Sequence, residues 1–101
     1  MTRILLTALT VGVLSLAAPA YAAGDAAAGK AKSASCAMCH GPNGEGTQMA
    51  PKLAGKPAAQ LDQAMQDYKA GKKDNAMMKS AAASLSADDM ANLAAYYTSL
   101  K

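Results

Sequence analysis

Cys36-Ala37-Met38-Cys39-His40 holds both cysteines and the single histidine of the 101-residue chain. Scattered at random, two cysteines and one histidine would fall into this pattern on the order of once in 5,000 sequences, so the spacing carries information. Residues three and four apart on a helix share a face. Cys36, Cys39 and His40 therefore converge on one object if the segment is helical.

The C-x-x-C-H spacing is the attachment motif of a c-type haem. Two thiols form thioethers with the two vinyl groups, and the imidazole of the next residue binds iron from the same side. A thioredoxin-like dithiol is the rival reading of C-x-x-C, but it wants a preceding strand and a βαβ pattern, and neither is present. A structural disulfide across so short a loop would constrain little of the unfolded chain. Zinc would need a fourth ligand for a closed structural site.

Outward from the motif, the chain divides in two. Residues 1–22 carry Arg3, an apolar run from Ile4 to Ala18, Pro19 and then Ala20-Tyr21-Ala22, the pattern of a cleaved secretory signal peptide. The run is too short for a retained membrane span, which takes about 20 apolar residues. Residues 23–101 form the expected mature domain, exported and free of a permanent membrane span. That domain contains five Leu, six Met and three Tyr, with no Ile, Val, Phe or Trp, and 21 of its 79 residues are Ala. This composition favours helix and excludes an all-β fold. So few large apolar side chains make a thin core for a domain that is small already, and a bound cofactor is one way to complete it.

The expected architecture is all-α, about four helices wrapped around one haem. A first helix runs from an Asp25 cap to His40, where Gly41-Pro42 stops it. A second runs from Pro57 to Ala70 before Gly71, with Leu61, Ala64, Met65 and Tyr68 on a stripe read as core. A short helix spans Asn75 to Ala83. The last opens on Ser86-Ala87-Asp88-Asp89, resembling a capping box, and sets Met90, Leu93, Ala94, Tyr97 and Leu100 on one face.

His40 is the expected iron ligand on the attachment side, its other ring nitrogen held by an acceptor that fixes the tautomer. For the opposite side, Met38 lies inside the motif, Met49 adjoins the proximal segment, and Met65 and Met90 fall on core stripes. Met77 and Met78 remain.

The order of Gly24-Asp25, Gly29-Lys30, Cys36-Ala-Met-Cys39-His40-Gly41, Ala50-Pro51-Lys52-Leu53-Ala54-Gly55, the Gly71–Met78 segment and Leu85–Tyr96 resembles the class I cytochromes c. It is closest to small bacterial monohaem members that resemble one half of the di-haem cytochromes. The resemblance implies a compact cytochrome c fold carrying one covalent haem c through Cys36 and Cys39. It also implies that the Pro51 carbonyl accepts from His40, that Leu53 packs on the haem, and that Gly29 admits Tyr96 from the last helix. Met78 is the implied distal ligand, with Met77 the runner-up. One departure is Ser33, which stands where many relatives carry an aromatic, so a weaker helix pair is expected.

A His/Met pair leaves iron no vacant position and raises its potential. The expected function is thus electron carriage in the bacterial periplasm between larger redox enzymes, by a monomer and without enzymatic activity. A sensing haem protein with an open sixth site, or a fixed subunit of an enzyme complex, are the alternatives. The mature domain carries nine Lys against seven acidic residues, and two propionates would cancel that excess, so nucleic-acid binding is not expected. Lys72, Lys73 and Lys79 flank the methionine segment and suit an acidic partner.

Overall fold

Asp25 begins the first helix by accepting the N–H groups of Ala27 and Ala28 on its carboxylate, two of the donors that a helix start leaves without partners. The computed structural model describes residues 24–101. The expected leader at 1–22 lies outside them. Among the described residues the regular structure is entirely helical: α1 (Ala26–Lys32), α2 (Ala34–His40), α3 (Ala58–Ala70), α4 (Ala76–Ala83) and α5 (Ala87–Ser99).

The expected continuous helix from Asp25 to His40 is divided at Ser33, giving five helices. The Ser33 hydroxyl donates to the Lys30 carbonyl at 2.7 Å, and the Ser33 N–H turns to the same carbonyl at 3.2 Å. A serine that bonds back to its own helix competes with the regular ladder. α2 then restarts, with Ala37 N–H on the Ser33 carbonyl, and stops at Gly41.

The other boundaries follow local chemistry. α3 starts behind Pro57 and ends at Gly71, whose left-handed conformation turns its N–H back to the Asp67 and Tyr68 carbonyls. Asn75 caps α4 by accepting the Met78 N–H at 3.0 Å. Ser86 and Asp89 exchange bonds at the head of α5, each side chain accepting the other's backbone N–H at 3.0 Å.

α5 is the pillar of the molecule, packed by α1 on one side and α3 on another, while α4 rests on α3. The contact with α1 is close because α1 offers glycine. A Cβ on Gly29 would stand 2.0 Å from the Asn92 carbonyl oxygen and 2.8 Å from the Tyr96 Cβ, so only a residue without a side chain fits. The crossing is close here with Ser33 ending α1. It is braced by the Asp25 N–H on Asn92 Oδ1 at 2.8 Å and by a Lys32–Asp89 ion pair at 3.6 Å.

The buried cluster is correspondingly thin: Leu61, Ala82, Leu85, Met90, Leu93, Ala94, Tyr96 and Tyr97. It lies mostly along α5, and beside it the helices enclose a large cavity instead of more side chains.

Candidate functional site

Cys36, Cys39 and His40 all open onto one cavity of about 780 Å³. Native interiors pack as densely as organic crystals, so a space of this size is a binding site and not a packing defect. The two cysteines are half-buried free thiols, and His40 is buried. Helical periodicity in α2 brings the three to this wall, as the spacing requires.

His40 is fixed by the loop that follows it. Its Nδ1 lies 2.7 Å from the Pro51 carbonyl oxygen. A carbonyl only accepts, so Nδ1 carries the proton and Nε2 keeps a lone pair available to a metal. The loop is held in place by its own backbone. Gly46 N–H donates to the His40 carbonyl at 2.8 Å, and Leu53 and Ala54 N–H both donate to the Gly44 carbonyl, at 2.8 and 3.0 Å. Gly44 has φ +64°, and a Cβ there would meet the Tyr97 ring at 2.6 Å, so glycine is required twice over. Pro51 and half-buried Leu53 consequently line the cavity beside His40.

α3 supplies a second wall. Leu61, Ala64, Met65 and Tyr68, the stripe read as core, all border the cavity. Only Leu61 of the four is fully buried. The stripe faces inward, but inward here means a space to be filled.

α4 brings Met77 and Met78 to the lining. They differ in burial: Met77 is 67% exposed, whereas Met78 is half-buried. The Asn75 cap holds the Met78 backbone directly. Met65 lines the same cavity, and Met90 belongs to the core. Met38 and Met49, 82% and 72% exposed, stand at the rim.

Two contributors escaped the sequence. Thr47 donates its hydroxyl to the Cys39 carbonyl and accepts the Met49 N–H at 3.0 Å, shaping the turn toward Pro51. Tyr97, read only as a core position of α5, lines the cavity on the same side as Cys36 and is buried. Burial, and then the neighbouring Cys36, hold the phenol well above its ordinary range. Burial likewise pushes the Cys36 thiol up. A polar handle on a helix's apolar stripe was the only sequence signal for Tyr97.

The donor set is specific in what it fits. Two thiols and an imidazole with a free Nε2 share a wall, a thioether from another helix joins them, and the remaining lining is mostly aliphatic or aromatic. A large, flat, apolar group with a central metal, anchored through sulfur, satisfies all of these at once. Among the described residues no helix is long and apolar enough to cross a membrane.

Comparison with known proteins agrees with this geometry. The chain is 45% identical over 103 residues to cytochrome c4 of Azotobacter vinelandii, covering 92% of this chain and 48% of the relative. It is 41% identical to the thiosulfate dehydrogenase electron acceptor of Thiomonas intermedia (strain K12), covering 100% of this chain and 45% of the relative. The chain thus spans about half the length of these relatives. The solved cytochrome c4 of Acidithiobacillus ferrooxidans superposes with a TM-score of 0.72 at 30% identity, covering 74% of this chain and 49% of that one. Residues 26–101 match the family model for cytochrome c, and with the cavity built as it is, the chain belongs to the cytochrome c family.

Proposed function

We propose that this protein is a periplasmic electron carrier, in which Cys36 and Cys39 would hold one haem c and His40 and Met78 would bind its iron. Covalently attached haem c is the cofactor of this family. Bound here, the group supplies reversible one-electron chemistry at its iron.

The chain's own residues supply the rest. Cys36 and Cys39 tether the group so that it does not dissociate. The Pro51 carbonyl holds the His40 ring in one tautomer and one orientation, and raises its basicity as a ligand. Met78 offers a soft sulfur that favours the reduced iron. Its half-buried setting against the exposure of Met77 supports it as the ligand. Leu53, Leu61, Met65 and Tyr68 form apolar lining that keeps water from the site.

The single observation that carries this reading is the one cavity shared by the Cys36–His40 wall and Met78. With His40 and Met78 both bound to it, the iron would have no position left for a substrate, which supports a carrier role. The Thiomonas relative's description as an electron acceptor supports the same role.

The partner is a redox protein that docks at the cavity mouth. Exposed Met38, Met49 and Met77 give that mouth an adaptable apolar contact, and Lys56 and Lys73 line it with positive charge. A partner with acidic groups around an apolar contact suits it. Export follows from the leader at 1–22, and the mature carrier is a monomer of residues 23–101.

The test is the visible spectrum of the protein expressed with export, reduced with dithionite, before and after carbon monoxide. A low-spin c-type spectrum that ignores the gas is the expected result. A spectrum that shifts would point to an open sixth site and to sensing, and absence of haem absorption would overturn the assignment.

A further inference from the structure

His40 and the carbonyl that fixes its ring stand eleven residues apart, and one residue between them is bonded to the neighbours of both. The Thr47 hydroxyl donates to the carbonyl of Cys39, the residue before His40. The Thr47 N–H donates to the carbonyl of Ala50, the residue before Pro51, at 2.9 Å. With His40 Nδ1–H on the Pro51 carbonyl, three hydrogen bonds and two peptide links close a ring around Thr47. The same hydroxyl accepts the Met49 N–H at 3.0 Å, so its proton and a lone pair are both in use.

We infer that Thr47 is a positioning residue, whose hydroxyl seats the Pro51 carbonyl on His40 Nδ1 and through that bond sets the reduction potential of the holoprotein. This rests on the reading of His40 as the iron ligand. The chemistry of the segment leaves the task to few groups. Pro51 has no N–H with which to anchor itself, and it is exposed, so burial does not hold its carbonyl in place. Gln48 and Met49 before it are exposed as well. On the other side, Cys39 lies in the last turn of α2, where carbonyls are left without a partner in the helix. Thr47 supplies that partner. Gly46 adds a backstop: at φ +89° it lies so near that a Cβ would stand 3.2 Å from the Pro51 carbonyl carbon and 2.8 Å from the Lys52 nitrogen.

Cys39, His40, Met49, Ala50 and Pro51 line the cavity, whereas Thr47 lies outside its lining. Thr47 therefore acts on the site only through them. An acceptor on Nδ1–H makes the imidazole a more basic ligand. A more basic ligand favours the higher charge of ferric iron, so a well-seated Pro51 carbonyl holds the potential down. Without the hydroxyl, the loop is released from Cys39, the acceptor draws back from Nδ1, and the potential rises. Loss of the Met78 thioether has the opposite sign, so effects from the two sides of the cavity are separable.

The experiment is Thr47→Val, which keeps the shape and removes the hydroxyl. Thr47→Ser restores the hydroxyl, and Thr98→Val makes the same change at an exposed position of α5. Redox titration of each exported holoprotein gives the midpoint potential, and nuclear magnetic resonance of the reduced form follows proton exchange at His40 Nδ1 and Met49 N–H. In Thr47→Val the potential rises, both protons exchange several-fold faster, and the reduced protein still ignores carbon monoxide. Thr47→Ser returns toward the parent, and Thr98→Val matches it. An unchanged potential and unchanged exchange at Nδ1, even with stability lost, overturns the role, as does a Thr47→Ser that behaves like Thr47→Val. If Thr47→Val fails to accumulate, Thr47→Ala takes its place, and the parent carries its own check. Met49 is 72% exposed, so fast exchange of its N–H in the parent would show that the hydroxyl does not hold it. A parent without histidine-ligated haem would instead overturn the reading of His40 as ligand.

Discussion

The Nδ1–H of His40 is given to the carbonyl oxygen of Pro51, at 2.7 Å and eleven residues further along the chain. The bond determines which imidazole nitrogen is left to bind metal. His40→Ala removes both the proposed ligand and the anchor of the loop, and its product is expected to lack the low-spin spectrum of the parent. Visible absorption of the reduced, exported protein checks this.

Met77 and Met78 are adjacent, but the Asn75 cap and the burial difference set them apart. With Met78 as the proposed ligand, Met78→Ala is expected to let the reduced protein bind carbon monoxide and to lower its midpoint potential. Met77→Ala leaves both unchanged. Potentiometric titration and gas binding of the two variants distinguish them, and the reverse pattern would move the ligand to Met77.

Gly29 lies against the α5 backbone. In Gly29→Ala the added methyl meets the Asn92 carbonyl, backbone that cannot move aside without parting the helices. Overpacking of this kind costs about 1–3 kcal/mol, and a rigid backbone obstacle places the loss at the upper end. A lower midpoint in chemical denaturation, with the slope unchanged, is the expected reading.

Ser86 and Asp89 cap α5 reciprocally. Ser86→Ala costs about 1 kcal/mol, read as a denaturation midpoint. The bond from the Ser86 backbone N–H, assisted by its hydroxyl and by Lys32, holds the Asp89 carboxyl below its ordinary value. A depressed carboxylate stabilises the fold above the unfolded value, near 3.9, and loses that contribution as pH falls through the lower folded value. Asp89→Asn therefore narrows the difference in stability between pH 7 and pH 3, measured by denaturation at both.

Much of the local structure was written in local chemistry. Asp25, Asn75 and Ser86 announce helix starts by side chains that accept nearby N–H groups, and Gly41 and Gly71 announce stops. The division at Ser33 was not announced, because it depends on whether a serine hydroxyl turns back to Lys30 or outward to a partner. Periodicity told which side of α3 turns inward. It did not tell that Leu61, Met65 and Tyr68 face a space and not other side chains, since an apolar stripe looks the same in both settings. Tyr97 was hidden for a related reason: its ring satisfied the pattern of α5, and nothing in that pattern says that it also borders the cavity.

The close crossing of α1 and α5 has a consequence for how the molecule comes apart. Asp25 and Asn92, joined across 67 positions, make the intervening chain a closed loop that contains Cys36, Cys39, His40 and Met78. Parting α1 from α5 opens that loop, as sub-global openings of cooperative units do in folded proteins. A guest held only by contacts would escape on each such excursion and have to be recaptured from solution. A guest bonded to Cys36 and Cys39 stays aboard, and reclosure is a reaction of one molecule with itself, as fast in dilute protein as in concentrated.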